Sequence, residues 1–330
     1  MKPALALQIL DPELESRLRD RMDQVEVALR DHVESEAGFV TKAARHLLEA
    51  GGKRFRPLLV LLAAQVGDPD AEGVLTSACV VELTHLASLY HDDVMDEADL
   101  RRGAESANAR WDNHVAILTG DFLFSKSSEL TADLGADAVR IQARTFTRLV
   151  EGQILETLGP TDGRDPLEHY LRVVAGKTGS LIATSARYGA RFSGAPQDVE
   201  EALTEYGEKV GVAFQLSDDI LDVAAETATS GKTPGTDLRE GVPTLPVLIA
   251  KRSTDPADAR LLELLDSDLT DDALHGETLT LLRAHPAMAE ARAYVVALAS
   301  EAKAVLKVLP EGAVRSSLEA FADAVATRLS

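Results

Sequence analysis

The chain is poor in cysteine, in aromatic residues and in positive charge. Cys79 is its one cysteine in 330 residues, which excludes a disulfide framework and a cysteine-based zinc site. Aromatics make up 4 %, with one Trp and five Tyr, a supply that argues against a sheet-rich fold. Lys and Arg are so outnumbered by Asp and Glu that the net charge is −20. That excludes the positive stripes of a nucleic-acid surface and any general attraction to anionic lipid. Residues Met1–Leu10 show no basic start with a long apolar core, so no signal peptide is expected. The longest apolar run, Leu58–Ala64, is too short to span a bilayer. These absences predict a cytoplasmic protein with no nucleic-acid partner and no transmembrane segment.

What is present is helical periodicity. Leu14, Leu18, Met22, Val25, Leu29 and Val33 recur every three or four positions, with Asp11 as N-cap and Pro12 at the first helical position. Similar patterns predict helices over 41–50, 58–66, 73–96, 115–132, 136–158, 167–190 and 198–223, with several more in 255–330. Residues 99–112 read as polar and irregular. Alternating strand and helix periods, short repeats and linkers are missing. The expected architecture is one all-α domain: N-terminal helices in 1–50, a core in 51–246 and C-terminal helices in 247–330.

Two acidic runs stand out. His91-Asp92-Asp93-Val94-Met95-Asp96 ends one long helix, and Asp218-Asp219-Ile220-Leu221-Asp222 ends another. On a helix the first and last Asp of each run share a face. Either run alone also fits a solvated helix end; the repetition of the pattern favours a site for hard divalent cations that share oxygen ligands with phosphates. His85, two turns before Asp92 on roughly the same face, is either a ligand or a buried, hydrogen-bonded histidine. Basic clusters complement the acids. Gly51-Gly52-Lys53-Arg54-Phe55-Arg56-Pro57 offers flexible backbone and three cations, suited to a diphosphate, or else caps a helix. Arg101 and Arg102 follow the first run. Lys177 and Thr178, between Gly176 and Gly179, imply a local break in a helix or an ordinary helix junction. Asp121, inside an apolar helix pattern, needs a partner or faces solvent. The set implies removal of a diphosphate from carbon, with the developing charge met by metals and cations.

With order, spacing and identity all in agreement, the chain resembles the trans-isoprenyl diphosphate synthases, the polyprenyl synthetase family. The resemblance covers Gly51 to about Pro246 and includes Phe214-Gln215-Leu216, Gly231-Lys232 and Gly235-Thr236-Asp237. It implies an isoprenoid-synthase helical bundle around a central cavity, a cluster of three Mg2+ ions and a homodimer. Asp92, Asp96 and Asp218 would ligate Mg2+ directly, with Asp93, Asp219 and Asp222 in the inner or second shell. Arg101, Lys177 and Lys232 would hold the allylic diphosphate; Lys53, Arg56, His85 and Arg102 would hold isopentenyl diphosphate. Thr178 and Gln215 would steady the allylic cation and its leaving group. Ionisation, attack by the isopentenyl double bond and loss of a proton to pyrophosphate would follow. One departure stands out: Val242 replaces a lysine that the family often carries.

In that family the product grows along the helix bearing the first acidic run. Here the flooring positions are Ala87 and Ser88, with Thr84 one turn deeper, all small. They imply an all-trans product above C20, or else close helix packing; a short-chain farnesyl or geranylgeranyl synthase is the alternative. A class I terpene cyclase would lack the second Asp run and the Gly-Gly-Lys-Arg stretch. A non-catalytic subunit of a heteromeric synthase would have lost an acidic run or the cations.

Overall fold

The amphipathic pattern is realised as helix nearly throughout the computed structural model, which describes residues 9, 11–161, 163–224 and 234–328. Helix α1 (Pro12–His32) starts as its sequence dictates: the Asp11 carboxylate accepts from the Leu14 amide, and Leu14, Leu18, Met22, Val25 and Leu29 are buried. Helix α2 spans Gly38–Glu49 and α3 spans Phe55–Ala63. The latter begins three residues ahead of its apolar stretch, because Arg54 turns the chain with φ 48°. Helix α4 (Glu72–Met95) carries the first acidic run in its last turn.

Residues 99–112 are more ordered than their composition predicts. Strands β1 (Leu100–Arg101) and β2 (Ala104–Glu105) pair in an antiparallel hairpin. Its two turn residues, Arg102 and Gly103, both have positive φ, as a two-residue hairpin turn requires. Among the described residues these are the only strands. The short α5 (Ala107–Arg110) follows, and then α6 (Asn113–Asp133).

The chain continues through α7 (Ala136–Leu158), α8 (Pro166–Val174), a π-helical turn (Ala175–Gly179), α9 (Ser180–Phe192) and α10 (Gln197–Ala224). The short α11 (Thr236–Arg239) and α12 (Leu245–Ala250) precede α13 (Ala259–Leu265), α14 (Asp272–Ala284), α15 (Pro286–Val305) and α16 (Ala313–Thr327).

Two compact units emerge. One holds Met1–Phe146, Leu181–Gly207 and Leu306–Leu318; the other holds Thr147–Ser180, Glu208–Val305 and Glu319–Ser330. In the first, α4 is the central element, packed by α1, α3, α5 and α6. It comes close to α6 at Gly120, where a Cβ would lie 2.3 Å from His91 Nε2 and 3.2 Å from the Ala87 carbonyl. By length and composition α4 could cross a membrane, unlike the shorter apolar run singled out from sequence, but 67 % of its apolar window is buried against protein. It also carries Glu82, His85, Asp92 and Asp93, which marks it as a core helix. In the second unit, α12 packs on α8, α14 and α15.

Candidate active site

The first acidic run lies where a helix least tolerates negative charge. Asp92 and Asp93 are in the last turn of α4 and Asp96 is its C-cap, with no basic residue in that turn. The helix dipole adds partial negative charge there, so the place favours a cation. The three carboxylates differ in environment. Asp93 is fully buried, Asp92 half-buried and Asp96 exposed. Asp93 accepts from Arg101 Nε at 2.5 Å, while its other oxygen has no hydrogen-bond partner. Burial raises the Asp93 pKa, against the pull of Arg101.

Arg54, Arg56 and Arg102 gather around Glu82, which is 1 % exposed in the middle of α4. Arg54 is fully engaged. It donates to Glu26 (2.5 Å), Glu82 (3.0 Å), the Gly51 carbonyl (3.2 Å) and the Leu48 carbonyl (2.7 Å). Arg102 donates to the Leu47 carbonyl at 3.0 Å and to that of Gly51. A Cβ on Gly52 would sit 2.8 Å from the Arg102 guanidinium carbon. What comes close to this glycine is therefore an arginine of the same chain, where the sequence left open either a diphosphate site or a helix cap.

Arg56 has a buried Nε without a partner, and burial lowers its pKa to about 10. His85 is pushed well below its ordinary value, first by burial and then by Arg56, Arg102, Arg54 and Arg101. Burial and four nearby guanidiniums both favour the neutral imidazole, so an anion bound beside His85 would raise its pKa. Lys53 is exposed at the edge of this cluster. Asp121 meets both of its alternatives: it is mostly exposed to solvent and lies 3.4 Å from His91 Nε2.

Along the same helix, Ala87 and Thr84 are fully buried and Ser88 is 9 % exposed. Ser88 Oγ donates to the His85 carbonyl. Thr84 Oγ1 lies 2.8 Å from Ser127 Oγ and accepts from Gln142 Nε2 at 2.6 Å. These positions are small, but Thr84 is tied into a polar contact between helices, and the nearness of Ala87 to Gly120 gives Ala87 a packing reason of its own.

In the second unit the break expected at Gly176–Gly179 is the π-helical turn between α8 and α9. Its backbone lies against α7: a Cβ on Gly152 would be 2.7 Å from the Lys177 amide, and one on Gly176 would be 2.8 Å from the Arg148 carbonyl. Lys177 Nζ pairs with Glu156 at 2.6 Å. Thr178 Oγ1 donates to Gln215 Oε1 (3.1 Å), and Gln215 Nε2 donates to Asp219 Oδ1 (3.0 Å).

Asp219 also accepts from the Tyr170 hydroxyl. It is buried, which pushes its pKa up to about 6 despite the two donors. Asp222 accepts from the amides of Thr236 (3.3 Å) and Asp237 (3.1 Å), holding the start of α11. Asp218 is partly exposed and pairs with Arg328 at 2.6 Å. Val242 is 37 % exposed. Lys232 lies outside the described residues.

Three participants escaped the sequence: Glu82, Tyr170 and Arg328. Glu82 had a visible signal, an acid inside an apolar helix, the same signal that singled out Asp121. Tyr170 and Arg328 reach their partners across 49 and 110 residues, and no local pattern marks them.

Among the described residues no three His, Cys, Asp or Glu side chains converge on one point. The donor chemistry nonetheless fits a hard cation: carboxylate oxygens at an electronegative helix end, one buried oxygen lacking a donor, and no cysteine in either acidic run. Such ions take only part of their shell from protein and the rest from water and phosphate.

Comparison with known proteins identifies the family. The polyprenyl synthetase family profile matches residues 38–281. A nonaprenyl diphosphate synthase of Mycobacterium tuberculosis is 52 % identical over 86 % of this chain and 85 % of its own. The structure of a geranylgeranyl pyrophosphate synthase from Corynebacterium glutamicum, complexed with calcium and isoprenyl diphosphate, superposes with a TM-score of 0.90 at 46 % identity, covering 98 % and 99 % of the two chains. A decaprenyl diphosphate synthase from Rhodobacter capsulatus gives 0.88 at 33 % identity, covering 96 % and 99 %. The chain belongs to the polyprenyl synthetase family.

Proposed function

We propose that this chain is an all-trans polyprenyl diphosphate synthase that joins isopentenyl diphosphate head-to-tail to an allylic diphosphate and releases pyrophosphate, with a product above C20. The observation that carries this is the presence of two acidic runs, one in the last turn of α4 and one in α10, in a chain whose first unit also holds a basic cluster with an unpartnered buried Arg56 Nε and a depressed His85. Lys53, Arg56, His85 and Arg102 hold the isopentenyl diphosphate. Arg101, Lys177 and Lys232 hold the allylic diphosphate. Asp92, Asp96 and Asp218 supply carboxylate oxygens to Mg2+, in a cluster of three ions; the metal's role is to stabilise charge on the leaving diphosphate. Asp93 orients Arg101, and Asp219 orients Gln215, which with Thr178 faces the allylic cation and its leaving group. Asp222 fixes the first turn of α11.

The two units work as one catalytic domain, and the active enzyme is a cytoplasmic homodimer. Ile117 and Leu118 on α6, and Ile154 and Leu158 on α7, are large exposed apolar residues that a second copy would cover. The lean toward a long product rests on the small residues at 84, 87 and 88 and on the nonaprenyl and decaprenyl relatives. The likeness to a geranylgeranyl pyrophosphate synthase keeps a C20 product as the second reading.

The test is incorporation of labelled isopentenyl diphosphate in the presence of Mg2+ and a choice of allylic primers, with EDTA as control. Label should enter an extractable product only with metal and primer. D92N and D218N should each lower kcat by about 10²–10³-fold, as loss of one transition-state stabiliser does. No incorporation with any primer would end this reading.

A further inference from the structure

The second acidic run already has a cation of its own. Of its three carboxylates, Asp219 is engaged by Tyr170 and Gln215, and Asp222 by the amides at the start of α11. Asp218, the one assigned to metal, is engaged by Arg328, whose Nη2 lies 2.6 Å from its Oδ1. Lys177 is paired elsewhere, with Glu156.

Arg328 is not loosely placed. It follows the last residue of α16, where its amide bonds to the Ala324 carbonyl. Its guanidinium stacks over the Phe214 ring at 5.0 Å, one helical turn before Asp218 on α10. The Ser217 hydroxyl donates to the Val325 carbonyl and ties the two helices together. A divalent ion that binds Asp218 through Oδ1 must therefore displace a guanidinium already seated there, and one that binds through Oδ2 meets its positive charge.

We propose that Arg328 is a placeholder cation of the second acidic run: it neutralises Asp218 until a divalent metal displaces it, and so sets the metal affinity of that half of the site. The inference rests on the reading of Asp218 as a metal ligand. The pair is partly exposed, with 33 % and 42 % of the two side chains accessible. Its strength is therefore that of a screened ion pair, and its removal should tighten metal binding by about 1.5- to fivefold.

The experiment is titration of the full chain with Mn2+ alone, following free Mn2+ by electron paramagnetic resonance, for the wild type, R328Q, R328K, D218N and the D218N/R328Q pair. Arg328 stands at the exposed end of its helix, so folding of each variant can be verified by circular dichroism. R328Q should bind Mn2+ more tightly than wild type by the stated factor, and R328K should fall between them. In the D218N background R328Q should change nothing. If D218N weakens Mn2+ binding while R328Q leaves it unchanged or weaker, the placeholder role is overturned and the ligand role of Asp218 stands. If D218N leaves Mn2+ binding intact, both fall.

Discussion

Asp93 and Asp219 hold the same place in the two acidic runs: each is the second of an adjacent pair, each is buried, and each is held by protein donors. Arg101 meets one; Tyr170 and Gln215 meet the other. Burial raises both pKa values. The helix period explains the pattern, since neighbours about 100° apart cannot both face the same way. Y170F should leave Asp219 short of a buried donor, lowering stability by about 1–3 kcal/mol in chemical denaturation. Catalysis should suffer in kcat more than in KM, because Gln215 loses its orientation. E82A should be costlier. It removes a buried partner of Arg54, worth about 3 kcal/mol or more, and should show as a large fall in Tm.

His85 sets a pH dependence at the same scale. Its folded pKa is depressed, so between that value and its ordinary 6.5 the unfolded chain binds the extra proton. Stability from this group is thus present above pH 6.5 and lost as pH falls below it. H85Q should flatten the drop in Tm between about pH 6.5 and 5. Added pyrophosphate should restore stability to the wild type in that window, because the anion favours the imidazolium.

At the scale of elements, close backbone approach positions the residues proposed for the site. Gly152 and Gly176 let α7 touch the π-helical turn, and a Cβ at either would meet backbone at 2.7–2.8 Å. G152A should therefore displace Lys177 and Thr178 and lower kcat at least about tenfold, as misplacement by an ångström does. The glycines around Lys177-Thr178 revealed that the helix is interrupted there, but not that it widens into a π-turn, because the partner glycine lies on another helix. In α4, A87F is the test of product length. A bulky ring should shorten the product, and an unchanged length distribution would leave Ala87 with its packing role against α6.

Periodicity made the helices legible, since each buries one stripe, and both acidic runs were found where they lie. The hairpin at Leu100–Glu105 was not, because four paired residues are too few to show a period of two. The polar contact of Thr84 with Ser127 and Gln142 was also hidden, since it joins three helices.

At the scale of the whole molecule, a chain of net charge −20 handles two polyanionic substrates. Its long-range field repels them, so on the proposed reading binding should depend on the local arginine cluster and on divalent metal, and should weaken without the metal. A homodimer should appear by light scattering at twice the 35.3 kDa chain mass; charged substitutions at Ile117 and Leu118 should drive it toward monomer.

The most direct measurement is the length of the product made from labelled isopentenyl diphosphate, Mg2+ and a farnesyl or geranylgeranyl primer, sized chromatographically after removal of the diphosphate. The account predicts an all-trans series whose main component exceeds C20. A product that stops at C20 or below, from any primer, would contradict it.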